Sequence, residues 1–269
     1  MPINQPSIVL SYGGEKVNET TKRYALGTRA VLPDGRVFYY ALANGAIGAG
    51  QLCQAKAAII DFDMDLSVED APAVGAATFQ VLSPSTHQAL GSTEFEDGYV
   101  GVNDGPGEGH IYRLNNHSSL AADGNTLLTL TMAIDDTVQE AMTTASLVGL
   151  LENEFKDVVP VDIDTTLQQV LGVASTEIAD NEYFWLQTWG YASVRSEGGT
   201  QLPTLGQTVT AAVSTSDQAG SIEAYELFAT ALPVQSSTLP GRDLPVVGVA
   251  VGVVSVNSDH QLISLTLRP

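Results

Sequence analysis

Gly98-Tyr99-Val100-Gly101-Val102 is followed by Asn103-Asp104-Gly105-Pro106-Gly107-Glu108-Gly109 and then by His110-Ile111-Tyr112-Arg113-Leu114. The two flanking runs alternate apolar with other residues, which in an extended chain lines one face with Val100 and Val102 and with Tyr112 and Leu114. A glycine-rich break between two such runs predicts a β-hairpin with a wide loop. The same grammar extends in both directions. Residues 77–82 read as a strand closed by Ser83-Pro84-Ser85, and Asp123-Gly124-Asn125 turns the chain into 126–132, whose Leu/Thr alternation suits a half-buried strand. Upstream, Pro33-Asp34-Gly35-Arg36 is a turn feeding the aromatic, β-branched run 37–41.

Downstream, 182–190 is the densest aromatic stretch, with Tyr183, Trp185 and Gln187 on one strand face and Phe184, Leu186 and Thr188 on the other. Residues 245–255 form a nearly continuous β-branched run, as in a strand buried on both faces. Asn257-Ser258-Asp259 then turns into 261–267, where Leu262, Ser264 and Thr266 alternate with Ile263, Leu265 and Leu267. Within 136–151, Val138, Ala141, Met142 and Ala145 fit a short helical turn, followed by a strand over 147–151. Many short strands punctuated by Gly, Pro, Asn and Asp predict an all-β protein of β-sandwich or β-barrel-like domains. Residues 1–30 are polar, carry Gly13-Gly14 and lack a steady apolar period, which predicts an extended N-terminal arm. Glu, Asp and Pro160 interrupt the apolar pattern at 152–165. The expected division is therefore an arm at 1–40, a β domain at 41–151 and a second β domain at 152–269, with no fixed-period repeat.

A 269-residue chain that is 44% hydrophobic and 16% charged has the composition of a folded protein with a sizeable core. Eleven cations face 31 anions, for a net charge of −20. Such a surface repels phosphate backbones and excludes nucleic acid as the main partner. Residues 1–40 run against the trend, with five cations (Lys16, Lys22, Arg23, Arg29, Arg36) and three anions; the remainder has a net charge of −22. The arm is thus expected to meet a different surface from the body. Cys53 is the only cysteine, so neither an intramolecular disulfide nor a thiolate zinc cage is available; it reads as a small buried hydrophobe. No secretory leader and no run of about 20 apolar residues is visible, so folding in a cytoplasm without a membrane is expected.

Catalytic and ligand-binding patterns are faint. Asp61-Phe62-Asp63-Met64-Asp65 has the spacing of half a calcium loop, but its sixth position is Leu66 and its twelfth Pro72; a strand exposing alternate residues explains it, as it does Asp162-Ile163-Asp164. The 103–109 loop lacks the Lys-Ser/Thr of a P-loop and carries two acids. His87, His110, His117 and His260 show no zinc-protease spacing; His110 and His117, seven apart, give weak support for a metal. No nucleophile elbow is present, and no cofactor is implied. Trp185 and Trp189 with Tyr183 and Tyr191 could form a stacking platform, although core and edge packing is the commoner use. The expectation is a protein that is not an enzyme.

The order Arg36-Val37-Phe38-Tyr39-Tyr40-Ala41, the 98–109 stretch with Ile111-Tyr112-Arg113, Tyr183-Phe184-Trp185-Leu186-Gln187-Thr188-Trp189-Gly190 and the closing run from Val246 resembles capsid decoration (cement) proteins of tailed phages that infect aquatic bacteria. The resemblance implies β-rich protomers, usually trimeric, that bridge major capsid subunits on the outside of a virion and stabilise the shell. It carries no catalytic, cofactor or metal residues. Lys16, Lys22, Arg23 and Arg29 are the candidate capsid contacts. The rival expectations are another virion part (major capsid, tail or head-fibre protein), a carbohydrate-binding or adhesion module using the 183–191 aromatics, and, least favoured, a glycan hydrolase using paired carboxylates.

Overall fold

A computed structural model describes residues 7–162, 168–196, 202–212, 219–225, 245–252 and 260–269. The chain is all-β and forms two compact units. Unit 1 comprises Met1–Lys56 and Phe155–Pro269, and unit 2 is the intervening Ala57–Glu154. Among the described residues, the strands that precede unit 2 are β1 (Ile8–Val9), β2 (Arg29–Val31), β3 (Val37–Leu42) and β4 (Leu52–Gln54). Unit 2 contributes β5 (Leu66–Ser67), β6 (Thr78–Leu82), β7 (Tyr99–Asp104), β8 (Ile111–His117), β9 (Leu127–Met132) and β10 (Leu147–Leu151). The chain then returns to unit 1 with β11 (Val159–Pro160), β12 (Val170–Ala174), β13 (Tyr183–Arg195), β14 (Thr208–Ala211), β15 (Ile222–Ala224), β16 (Val246–Ala250) and β17 (His260–Thr266).

Unit 2 is a nearly closed antiparallel barrel in the order β5-β10-β7-β8-β9-β6. Val68 bridges Val81, and the Glu69 N–H donates to the Gln80 carbonyl at 2.9 Å, which brings the first and last strands together. The 98–114 hairpin forms as expected, with Tyr99 opposite Arg113 and Gly101 opposite Ile111. In its loop Gly105 has φ +78, and a Cβ there would sit 2.7 Å from the Ala145 carbonyl oxygen, so glycine is required. Leu128, Leu130 and Met132 point inward from β9 into one core with Tyr112, Leu114, Val148, Leu150 and the fully buried Phe62, Phe79 and Phe95. The expected helical turn in 136–146 is absent. Val138 and Met142 are buried, but their N–H groups donate to the carbonyls of Ala76 and Pro72, so a neighbouring segment takes the hydrogen bonds a helix would need. The Asp61–Asp65 segment is likewise not a strand: a 3-10 turn, Ile60–Phe62, drops Phe62 into the core, and Asp65 takes φ +62.

Unit 1 is organised around β13, thirteen residues long. Its first half pairs with β3 on one side (Trp185 opposite Tyr40) and with β12 on the other. Its second half pairs with β17 from Trp189 to Arg195, and the sheet continues through β16, β14 and β15. Ser196 bridges Ile222, so this second run turns back onto β13. Two cores follow: Phe38, Tyr40, Phe184, Trp185 and Leu186 beneath the first half, and Val194, Val209, Ile222, Ile263 and Leu265 beneath the second. The predicted alternation on 261–267 is observed, with Ile263 and Leu265 buried and Leu262 and Thr266 exposed. On β16, Val247 is buried whereas Val246 is exposed; residues 253–255 and the expected 257–259 turn lie outside the described residues, as do 163 and 164 of the Asp162 segment.

The boundaries differ from those expected. Residues 7–42 are woven into unit 1: Ile8 pairs with Ala30, Ala30 with Phe38, and Leu26, Ala30 and Leu32 are core residues. The seam at 152–165 marks the return to unit 1, because β11 and β12 pair with β4 across more than a hundred residues of chain.

Candidate interaction surface

The four cations singled out in the sequence all belong to unit 1 but are used differently. Lys16 ends a 3-10 turn and is exposed. Arg23 projects into solvent with its guanidinium 2.7 Å from Glu19, while its N–H donates to the Tyr40 hydroxyl at 3.1 Å. Lys22 is half-buried. Arg29 is occupied internally, donating to the Ser7 hydroxyl and, at 3.3 Å, to the Pro269 carbonyl. That last bond belongs to a clamp around the final residues. Tyr39 stacks on Phe155 with centroids 5.0 Å apart, the Arg268 guanidinium lies 5.5 Å from both rings, and the Thr188 hydroxyl donates to the Arg268 carbonyl at 2.6 Å.

The aromatics of β13 separate into two groups. Trp185 is buried, with Tyr40 5.0 Å and Tyr24 5.5 Å away, so it is a packing residue and the four-ring platform does not form. Trp189 and Tyr191 lie farther along, opposite Thr266 and Ser264. Tyr191 is 68% exposed and, with Leu262 opposite Ser193 and Val251 bonded to the Leu262 carbonyl, forms an apolar stripe on the outside of the β13–β17 pair.

Titratable groups are mostly structural. Cys53 is buried, and desolvation pushes its thiol up to about 12, which makes it an inert core residue, as expected. Burial raises the Asp157 carboxyl, but hydrogen bonds and charge from Lys156 (3.0 Å) and Lys56 (3.2 Å) outweigh that and hold it below the ordinary value. His110 and His117 stand at opposite ends of β8. His110 meets the Tyr112 hydroxyl, whereas His117 accepts the Phe95 N–H through Nε2 and donates from Nδ1 to the Ser118 carbonyl. His87 is buried against Phe62 and donates from Nδ1 to the Gln88 carbonyl. Among the described residues no three His, Cys, Asp or Glu side chains gather as metal ligands. A shallow depression of about 480 Å3 beside the Ile47–Ile178 bridge is lined by Glu177 and Glu182, and the latter caps the Ala179 N–H at 3.0 Å.

Charge sharpens the picture: unit 2 carries 16 acids and a single cation, Arg113, for a net of −15, whereas unit 1 carries 15 acids and ten cations. No protein-family model, curated protein or solved structure matches the chain. Sequence reasoning saw the acidity but not its partition, because the unit boundaries depend on long-range strand pairing.

Proposed function

We propose that this chain is a structural virion protein that decorates a tailed-phage capsid and stabilises it by bridging major capsid subunits, as a homotrimer on the capsid exterior. The observation that carries this reading is the contrast between the units. Unit 1 is much less acidic, at a net of −5, and has projecting cations at Lys16 and Arg23 and an apolar stripe at Tyr191, Leu262 and Val251, a combination suited to cementing one protein surface to another. Burial of apolar surface is worth about 25 cal/mol per Å2, so a trimer and its shell contacts, at roughly 2,000 Å2 or more, supply enough free energy to brace subunit joints. The acidic unit 2 would keep decorated particles dispersed.

The test is to add purified protein to undecorated heads and measure occupancy by sedimentation and electron microscopy, with mass photometry for the oligomer. Saturable occupancy by trimers is expected, reduced by Lys16→Glu with Arg23→Glu and by Tyr191→Ser. Removing residues 1–30 is a poor test, because it would delete β1, part of β2 and the buried Leu26 and Ala30. Protein that ignores the heads overturns the proposal. If Trp189→Ala and Tyr191→Ala abolish binding on a glycan array instead, the adhesion-module reading replaces it.

A further inference from the structure

Unit 2 has a feature the capsid reading leaves unused. On the outside of the barrel, β10, β7 and β8 are consecutive neighbours, and their registers place Leu151 beside Tyr99 and, two residues along, Gly149 beside Gly101 beside Ile111. Leu151, Tyr99 and Ile111 are 52%, 41% and 64% exposed. The backbone that follows the 3-10 turn lies directly over Gly149: a Cβ there would fall 2.0 Å from the Asp63 carbonyl oxygen and 3.4 Å from the Met64 nitrogen. The Asp63–Met64 backbone therefore covers the strand on one side of Gly101, with Met64 61% exposed, and Ile111 stands on the other side. A Cβ on Gly101 would meet nothing closer than Ile111 Cγ1, at 3.9 Å. The result is a shallow groove whose floor is the bare backbone of Gly101, with Gly149 already covered. It spans two strand spacings, about 10 Å, which admits one extended chain.

The rim defines the occupant. Asp61, Asp63 and Asp65 are exposed along the Met64 side, and the unit's lone cation, Arg113, is held 3.6 Å from Asp97. Unit 2 of a second copy would bring another net charge of −15 against this one, and nucleic acid or an anionic membrane would be repelled in the same way. We infer that the Gly101 groove of unit 2 is a docking site for a basic, extended polypeptide segment whose aliphatic side chains enter between Met64 and Ile111 while flanking Lys or Arg side chains meet the Asp61–Asp65 rim. The groove supplies contact area, and the rim supplies selectivity and speed of encounter. This site is independent of capsid attachment.

A titration of the full-length protein tests it, using a short synthetic peptide of alternating leucine and lysine and a control with serine in place of each leucine at unchanged charge. The leucine peptide should shift the amide resonances of Tyr99, Gly101 and Ile111, and the serine control should bind at least about tenfold more weakly. Gly101→Val builds onto the open floor, where an added Cβ meets only Ile111 Cγ1 at 3.9 Å, leaves the charge unchanged and should reduce leucine-peptide affinity by about tenfold or more. Should that variant fold poorly, Ile111→Ser, at an exposed position, gives the same readout. Equal binding of the two peptides, no binding of either, wild-type affinity in the folded groove variant, or self-association of the protein that Tyr99→Ser abolishes would each overturn the inference. None of these outcomes bears on head occupancy, which is measured separately.

Discussion

Unit 2 and unit 1 are built from the same kind of strand yet solve different problems. The nearly closed barrel of unit 2 lies within one continuous stretch of chain, keeps a single mainly aliphatic core, and tolerates a net charge of −15 outside it. Unit 1 is assembled from two stretches separated by that barrel, is richer in aromatic residues, and sets cations against part of its acidity in pairs such as Arg23–Glu19 and Lys56–Asp157. The lesson is that burial of apolar surface fixes both folds, while surface charge is left free to specialise.

The contrast can be broken most severely from inside the barrel. Phe79→Ala removes a fully buried ring from unit 2 and should cost about 3–5 kcal/mol. Cys53 belongs to unit 1 and unit 2 has no thiol, so a thiol reagent reports unit 1 alone. In Phe79→Ala, circular dichroism should lose the barrel's transition first while Cys53 stays unreactive; simultaneous loss would mean that the units unfold together. Next in size, Gly149→Ala forces a methyl onto the Asp63 carbonyl and should cost about 2–3 kcal/mol in denaturant titration, again confined to unit 2.

In unit 1 the corresponding weak point is ionic. Asp157→Asn leaves Lys156, whose side chain is 9% exposed, beside Lys56 without their shared carboxylate, and should cost about 2 kcal/mol. The pH dependence has a definite sign. With a folded value below the ordinary carboxylate value, Asp157 contributes stability at neutral pH that is lost as pH falls through that lowered value. The difference in stability between the native protein and Asp157→Asn should therefore shrink in acid; a gap that stays constant down to the lowest pH would contradict the assignment. The smallest effect concerns salt. Raising ionic strength screens self-repulsion and should stabilise unit 2 by a few tenths of a kcal/mol more than unit 1, measured from their separate melting transitions.

How far the sequence could be read follows the same division. The 98–114 hairpin, the Thr129 and Thr131 alternation on β9 and the β17 pattern were legible because each depends on neighbours in the chain. Three features were not. The Asp61–Asp65 segment mimics a strand, yet it turns so that Phe62 reaches the core. Val138 and Met142 have helical spacing but are anchored by Ala76 and Pro72. Residues 1–30 look like part of an arm because they are polar, and only the pairing of β1 with β2 and of β2 with β3, itself joined to β13 far along the chain, shows 8–9 and 29–31 to be sheet. The groove on unit 2 was hidden for a related reason: Gly101, Gly149 and Met64 come together only through register and the fold-back of the backbone after the 3-10 turn.

Gln54 pairs with Val159, and Lys56 reaches Asp157, so the points where the chain leaves unit 1 and re-enters it lie side by side. A host with adjoining exit and entry points accepts a guest without rearranging its own sheets. Replacing residues 57–154 with a short glycine-serine bridge should leave a foldable host, and grafting another closed barrel between Lys56 and Phe155 would turn the same scaffold into a carrier for a different display.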